Sequence, residues 1–286
     1  MMRRLKRILK IAGFVIGVIF IALFIAIHVF LKPKSDEKVL EKLSNSHHQP
    51  HIHYNTYKEF KYRVIAMQQA IDSTLPTLVF VHGSPGSMLD YSRYFKDSIL
   101  NSKANILSYD RIGYGINNAG DVQGSITFEL EILHDLIKDI PPEKVVLIGY
   151  SYGGPIVLAS PKPYKYKVSL ASSISGDLEP MFWTLNFYKW ELTRPLIPSL
   201  LKAAAKEKYT HLSDLPNYND KWSVSPSPIV NIQGDKDWIV PYENSKILKK
   251  IIDANKLRMV TIAGGGHELI WSDFKLIKNE ILKTVQ

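Results

Sequence analysis

"KVVLIGYSYGGPIVLA", Lys144 to Ala159, runs from a β-branched apolar stretch through close-set glycines into a second apolar stretch, with Ser151 between them. A short, continuous apolar run ending at a turn reads as a strand buried on both faces. The run after the turn reads as a helix, and Pro155 suits its first turn or just beyond, where a missing donor is tolerated. Gly149-Tyr150-Ser151-Tyr152-Gly153 fits G-x-S-x-G. In that pattern the serine occupies a sharp, strained bend, and the flanking small residues let neighbouring backbone pack closely. Two glycines around a serine also occur by chance, and Ser151 alone reads equally as a small turn residue. The strand before and the helix after supply the context the motif requires.

The same alternation extends outward. "FKYRVIAM" (60–67) alternates as an edge strand does, and "TLVFV" (77–81), "NILSY" (105–109), "KVSLASS" (167–173), "PIVNIQ" (228–233) and "LRMVTIA" (257–263) read as further strands. Helical patterns follow at 88–100, with Ser87 as N-cap candidate, at 126–140, 243–252 and 269–284. Strands alternating with helices imply an α/β fold, a mostly parallel sheet with helices on both faces. Ligands bind such sheets beyond the carboxyl ends of the strands, where the glycine-rich turns 82–86, 110–115, 149–154 and 264–267 fall. Residues 177–227 interrupt the rhythm. They are too long for a simple connection and too apolar for a disordered loop, and read as a helical lid over the strand ends.

The 286 residues carry a net charge of +9, but seven bases and no acid lie in residues 1–34. Removing those seven from the 36 bases leaves 29 against 27 acids, a charge of +2. The globular part is nearly neutral, which argues against nucleic-acid binding. Residues 1–10 form a basic tail, and 11–31, "IAGFVIGVIFIALFIAIHVFL", are long and apolar enough to cross a bilayer as a helix. The preceding bases place the amino terminus on the cytoplasmic side and the rest of the chain outside the cytoplasm. The apolar core is long for a signal peptide and lacks a clear cleavage site, which favours an uncleaved single-pass anchor. Residues 32–54 read as a linker and 55–286 as the globular domain with its lid. His47, His48, His51 and His53 read as solvated linker residues, and no metal is assigned. The chain has no cysteine, so neither disulfides nor a cysteine nucleophile arise.

A serine nucleophile needs a base, and His267 in "AGGGHELIW" follows the last strand and precedes the final helix. The base needs an orienting acid. "NIQGDKDWIVP" offers Asp237, which is favoured, and Asp235, which also suits a turn; Asp177 is a third candidate. The order Ser, Asp, His fits the strand–turn–helix motif. Backbone N–H groups of Ser84, in the loop "HGSPG", and of Tyr152 are candidates for an oxyanion hole, and His82 reads as a brace for that loop. Phe182, Trp183, Phe187, Tyr188 and Trp190 in the lid are candidates for an apolar substrate pocket, or for packing of the lid onto the sheet.

"VHGSPGS", "YDRIGYG", "IGYSYGG", "QGDKDWIVP" and "GGGHELIW" together resemble, in family order, the α/β-hydrolase family over residues 55–286. The resemblance implies an eight-stranded sheet, a lid after the sixth strand, and a Ser151–Asp237–His267 triad that needs no cofactor. "HGSPG" is also similar to the corresponding loop of epoxide hydrolases, whose aspartate nucleophile Ser151 argues against, and of proline iminopeptidases. The expected function is hydrolysis of a small, apolar carboxylic ester through an acyl-enzyme. A proline-iminopeptidase-like amidase, with Glu179 or Glu191 meeting a free amine, and a non-catalytic tethered binding protein are the alternatives.

Overall fold

The computed structural model describes residues 2–44, 46 and 48–286, so His47 lies outside the described residues. Eight strands form one sheet: β1 (His51–Tyr57), β2 (Phe60–Ala66), β3 (Thr77–Val81), β4 (Asn105–Tyr109), β5 (Val145–Tyr150), β6 (Tyr166–Leu170), β7 (Ile229–Gly234) and β8 (Leu257–Ile262). Their order is β1-β2-β4-β3-β5-β6-β7-β8. The β1–β2 and β2–β4 pairs are antiparallel, and β3 to β8 run parallel to β4. β3, β4, β5 and β7 are buried at every residue, which is why their sequences are continuous runs rather than alternations.

Side chains of a strand point alternately to its two faces. Leu78, Phe80, Val146 and Ile148 therefore meet one helical layer with Tyr94, Phe95 and Ile277, while Val79, Val81, Val145 and Leu147 meet the other with Ile132, Leu133 and Val157. Between β6 and β7 the chain makes several short turns and the long helix Ser199–Asp214, in the interval expected to hold a helical lid.

Four expectations need correction. The strand over 60–67 does not lie at the sheet edge, because β1 pairs with it on the outer side and β4 on the inner. The strand expected over 167–173 ends at Leu170, because Ala171 turns out of the sheet at φ +45°. The single helix expected over 88–100 is broken: Ser87 caps a short turn at Met88–Tyr91, Ser92–Phe95 continues it, and Asp97 starts a new helix by accepting from the Ile99 and Leu100 amides. The linker expected over 32–54 is largely structured. The helix Asp36–Leu43 buries Val39 and Leu43 completely in the core, and β1 begins at His51, drawing His51 and His53 into the sheet edge. Among the described residues, no group of three or more His, Asp or Glu is placed to hold a metal ion.

The helix Met2–Phe30 has no buried residue and is long and apolar enough to cross a membrane. Its 29 residues rise about 44 Å, more than a bilayer's hydrocarbon core, so it carries the basic tail as well as the apolar stretch.

Candidate active site

At the end of β5 the chain bends sharply through Ser151, which takes the left-handed φ of +53°. For a residue with a Cβ this conformation costs about 1–3 kcal/mol, so its surroundings must hold it. The Ser151 amide donates to the Leu170 carbonyl (2.9 Å) and its own carbonyl accepts from Gly154 N–H (3.0 Å). The glycines on either side are sterically required. A Cβ on Gly149 would lie 2.2 Å from the Gly153 carbonyl oxygen, and one on Gly153 would lie 2.2 Å from that of Val81. The G-x-S-x-G spacing is thus the condition for the following helix, Gly153–Ala159, to pack against β3 and β5.

His267, from the turn after β8, reaches over the sheet edge to this serine. Its Nε2 lies 3.0 Å from Ser151 Oγ and its Nδ1 2.8 Å from Asp237 Oδ2. Asp237 is buried in the turn after β7. Its Oδ1 accepts from the Ile239 and Val240 amides (3.0 and 2.8 Å) and its Oδ2 also accepts from Gln233 Nε2 (3.1 Å). Of the candidate acids, only Asp237 meets the imidazole. Asp235 instead accepts from the Gly264 amide (2.7 Å), bracing the β8 turn, and Asp177 is exposed. The Tyr150 hydroxyl fixes the backbone of the histidine by donating to the His267 carbonyl (2.8 Å).

The loop Gly83–Gly86 faces the serine from β3, with Gly83 packed against the Ser151 Cβ. His82 is fully buried and accepts the Arg111 amide at Nε2 (3.0 Å), which leaves Nδ1–H to donate to the Gly83 carbonyl (2.8 Å). Burial and the neighbouring Arg111 charge push its pKa well below the ordinary histidine value, so it is a neutral brace. Ser84 and Tyr152 both line the space over Ser151, and among the described residues no backbone acceptor engages either amide.

Sequence reasoning missed the charged groups beneath this loop. Arg111, buried, donates to the His82 and Gly83 carbonyls (3.3 and 3.1 Å), pairs with Glu207 of the helix Ser199–Asp214, and lies 3.5 Å from Glu129. Tyr114 OH donates to Glu207 (2.5 Å) and meets Ser84 Oγ (2.6 Å). Beside it, the Tyr152 ring stacks on His211 at 4.1 Å, and Glu179 pairs with Lys208 and His211 and accepts from Ser173. Burial alone would raise the Glu179 carboxyl, but hydrogen bonding and charge from His211, with Lys208, outweigh it and hold it below its ordinary value. The lid is therefore fastened to the serine bend by ring stacking and, through Arg111, to the facing loop by a buried ion pair.

Between lid and sheet lies a cavity of about 640 Å³. Ser84, Ser151, Tyr152 and His267 form its floor, and Phe182, Phe187, Tyr188, Leu185, Ile197 and Leu201 its apolar wall. Two of the five lid aromatics expected in a pocket do not line it. Trp183 (68% exposed) and Trp190 (52%) point outward, because the short turns at Trp183–Leu185 and Asn186–Lys189 present Phe187 and Tyr188 inward instead. Glu179 lines the cavity, whereas Glu191 is exposed.

A mostly parallel sheet with a strained serine bend at its centre and a histidine reaching back from the last strand defines an α/β hydrolase. The profile of the alpha/beta hydrolase family matches residues 78–274, and the chain belongs to that family. It is 35% identical to a proline iminopeptidase of Saccharolobus solfataricus over 146 residues, 49% of this chain but only 44% of that relative. Among solved structures it is similar to a lipase candidate from Acinetobacter baumannii (TM-score 0.67, 17% identity, 88% of this chain and 97% of that one). It is also similar to a membrane phospholipase A described as a bacterial virulence factor (TM-score 0.63, 14% identity, 100% and 99%). At such identities the likeness is one of fold.

Proposed function

We propose that the protein is a serine hydrolase that cleaves carboxylic esters through an acyl-enzyme. The observation that carries this reading is the unbroken chain Ser151 Oγ–His267–Asp237 at the floor of a largely apolar cavity. Asp237 accepts at Nδ1, so the proton sits there and Nε2 is free to act as base. As Ser151 Oγ attacks the substrate carbonyl, Nε2 takes its proton, and the resulting imidazolium is stabilised by the Asp237 charge. The Ser84 and Tyr152 amides donate to the developing oxyanion, a contribution of about 3 kcal/mol or more per donor. Nε2 then returns the proton to the leaving alcohol, and water, deprotonated by the same nitrogen, releases the acid and frees Ser151.

No cofactor enters this scheme. The membrane helix would fix the domain on the non-cytoplasmic face, with the five bases of residues 3–10 on the cytoplasmic side.

One observation favours an amidase as second reading: Glu179 faces the cavity, where a substrate's free amine would meet it. Its charge is already countered by Lys208, which is why the ester reading is preferred. The test is fluorophosphonate labelling of the full chain with the adduct located by mass spectrometry, followed by turnover of aryl esters against amino-acyl arylamides. An adduct on Ser151, lost in Ser151→Ala and His267→Ala, with ester turnover dominant, is the expected result. No adduct on folded protein would make it a binding protein on a hydrolase scaffold, and dominant arylamide turnover would make it an amidase.

A further inference from the structure

The outward side of the lid carries a contiguous apolar surface. The Phe187 ring lies 5.5 Å, centre to centre, from both Trp183 and Trp190, and Leu192 (87% exposed) and Leu196 are exposed a few residues further along the chain. Phe187 belongs both to this surface and to the cavity wall, so the patch borders the way in to Ser151. Lys189 and Arg194, both exposed, belong to the same stretch of chain and pack on the neighbouring Tyr209 and Tyr188 rings, a mixture of aromatic and basic side chains that suits the headgroup level of a bilayer.

What covers this patch follows from how the membrane helix is attached. The helical hydrogen bonding runs on to Leu31 and Lys32, and the Lys34 carbonyl is held by the buried Arg63 guanidinium (2.8 Å), which also pairs with Asp36 (2.8 Å) and Asp110 (2.7 Å). From Phe30 to Lys34 the chain reaches at most about 14 Å, so the domain cannot leave the surface of the bilayer that holds the helix. The point of attachment also fixes which edge is nearest. The Arg63 carbonyl accepts the amide of Asp110, the residue just past the carboxyl end of β4. That is the sheet edge on which Ser151 stands at the end of β5. From the same corner, Asn118 donates to the Lys61 carbonyl (2.8 Å) and Gly120 packs against Ser199, the first residue of the long lid helix. Anchor, active-site edge and lid are thus joined on one side of the domain.

We propose that the Trp183–Phe187–Trp190–Leu192 surface rests in the bilayer that holds the chain's own membrane helix, and that substrate enters the cavity from that bilayer as an amphiphilic, lipid-like ester. The docking follows from the tether and the patch; the substrate class rests in addition on the ester-hydrolase reading. Entry past Phe187 puts the acyl chain against the Phe182, Leu185 and Leu201 wall and the ester carbonyl over Ser151.

The chain has no cysteine, so a single label can be placed cleanly. Full-length Leu192→Cys, and as reference Lys138→Cys at the opposite edge of the sheet, are labelled with an environment-sensitive fluorophore in phosphatidylcholine vesicles carrying shallow lipid-borne quenchers. The expected result is about twofold or greater quenching at position 192 and none at 138. A label at 192 reporting water as at 138 overturns the proposal. So does a label shielded from both water and lipid, with self-quenching between copies, since a second copy would then cover the patch. As the functional arm, Trp183→Ser with Trp190→Ser should lower turnover of a long-chain ester presented in vesicles about tenfold while leaving a short water-soluble ester unchanged. Equal loss on both esters overturns entry from the bilayer. Lipid quenching at 192 without turnover of any ester would leave the docking standing and refute the hydrolase reading instead.

Discussion

Asp237→Asn is the substitution that most directly interrogates the site. The asparagine carbonyl can keep the two amide hydrogen bonds now made by Oδ1 to Ile239 and Val240, so the turn after β7 stays formed. At Oδ2 the replacement is a donor facing two donors, Gln233 Nε2 and His267 Nδ1–H. The mismatch with Gln233 costs about 1–3 kcal/mol of stability. The mismatch with His267 drives the imidazole to the other tautomer, with Nε2–H directed at Ser151, where it cannot accept the serine proton. The corresponding loss is about 10⁴ in kcat, or about 5.5 kcal/mol of barrier at 1.36 kcal/mol per decade. Asp235→Asn is the matched control, because its carbonyl still accepts from the Gly264 amide and no reacting group touches it; its turnover should fall by about twofold or less. The assay pairs aryl-ester hydrolysis with the rate of fluorophosphonate labelling, and urea unfolding reports whether each variant is folded. An Asp237→Asn protein that is folded and turns over within tenfold of the parent would refute the claim that this carboxylate sets the tautomer. Collapse of Asp235→Asn instead would move the role to that residue.

Other expectations follow from the same geometry. Gly153→Ala drives a Cβ against the Val81 carbonyl and should lower stability by about 3 kcal/mol, with labelling of Ser151 lost in step; an unchanged urea midpoint would contradict the steric account. Glu207→Gln leaves the buried Arg111 with only the more distant Glu129 and should cost about 3–5 kcal/mol in urea unfolding, a loss Glu191→Gln should not reproduce. Burial raises the Glu129 carboxyl to about 7, against the pull of Arg111. The folded state therefore holds a proton that the unfolded state has lost, so this residue's stabilisation is complete below about pH 4.5 and fades as pH rises through 7. Urea titrations from pH 5 to 8 should show the parent losing stability relative to Glu129→Gln as pH rises, and parallel curves would remove Glu129 as the cause. A chain begun at residue 35 should remain folded, whereas one begun at 55 loses Val39, Leu43 and most of β1 and should lose at least about 3 kcal/mol, read as a lower melting temperature.

How much of this was legible in the sequence depended on whether the determining interactions were local. β3, β4, β5 and β7 announce themselves because strands buried on both faces must be apolar at consecutive positions, and the serine bend does so because Gly149 and Gly153 are demanded by neighbouring backbone within a few ångströms. Ser151, Asp237 and His267 lie far apart in sequence, yet each sits immediately after a strand, so the sheet alone brings their turns to one edge. The ion pair of Arg111 with Glu207 had no such guide. It spans 96 residues and joins a motif turn to a helix of the lid interval, with no local pattern in either segment pointing to the other. Within the lid the turns are three and four residues long, too short for a period, so nothing local told Phe187 and Tyr188, which face the cavity, from Trp183 and Trp190, which face out.

The segment before β1 teaches the opposite lesson, because its signal was present and outweighed. Val39 and Leu43 stand four residues apart, the spacing that puts two side chains on one face of a helix, but they sit among lysines and glutamates ahead of a histidine-rich stretch whose composition reads as a linker. Composition describes what a segment can do in water; burial depends on what waits to receive it. Here the receiving surface is the core that also holds Tyr91, Phe95 and Leu100, and Arg63 stands beside it to hold Lys34 and Asp36. A free linker of 23 residues would have let the domain wander from the bilayer, and the exposed lid tryptophans would then be merely exposed. With the connection reduced to a few residues and fastened at the active-site edge, the proposed docking would give the same tryptophans a surface to face. On the proposed docking, the helix Met2–Phe30 would bear on how substrate reaches Ser151 as well as on where the domain is held.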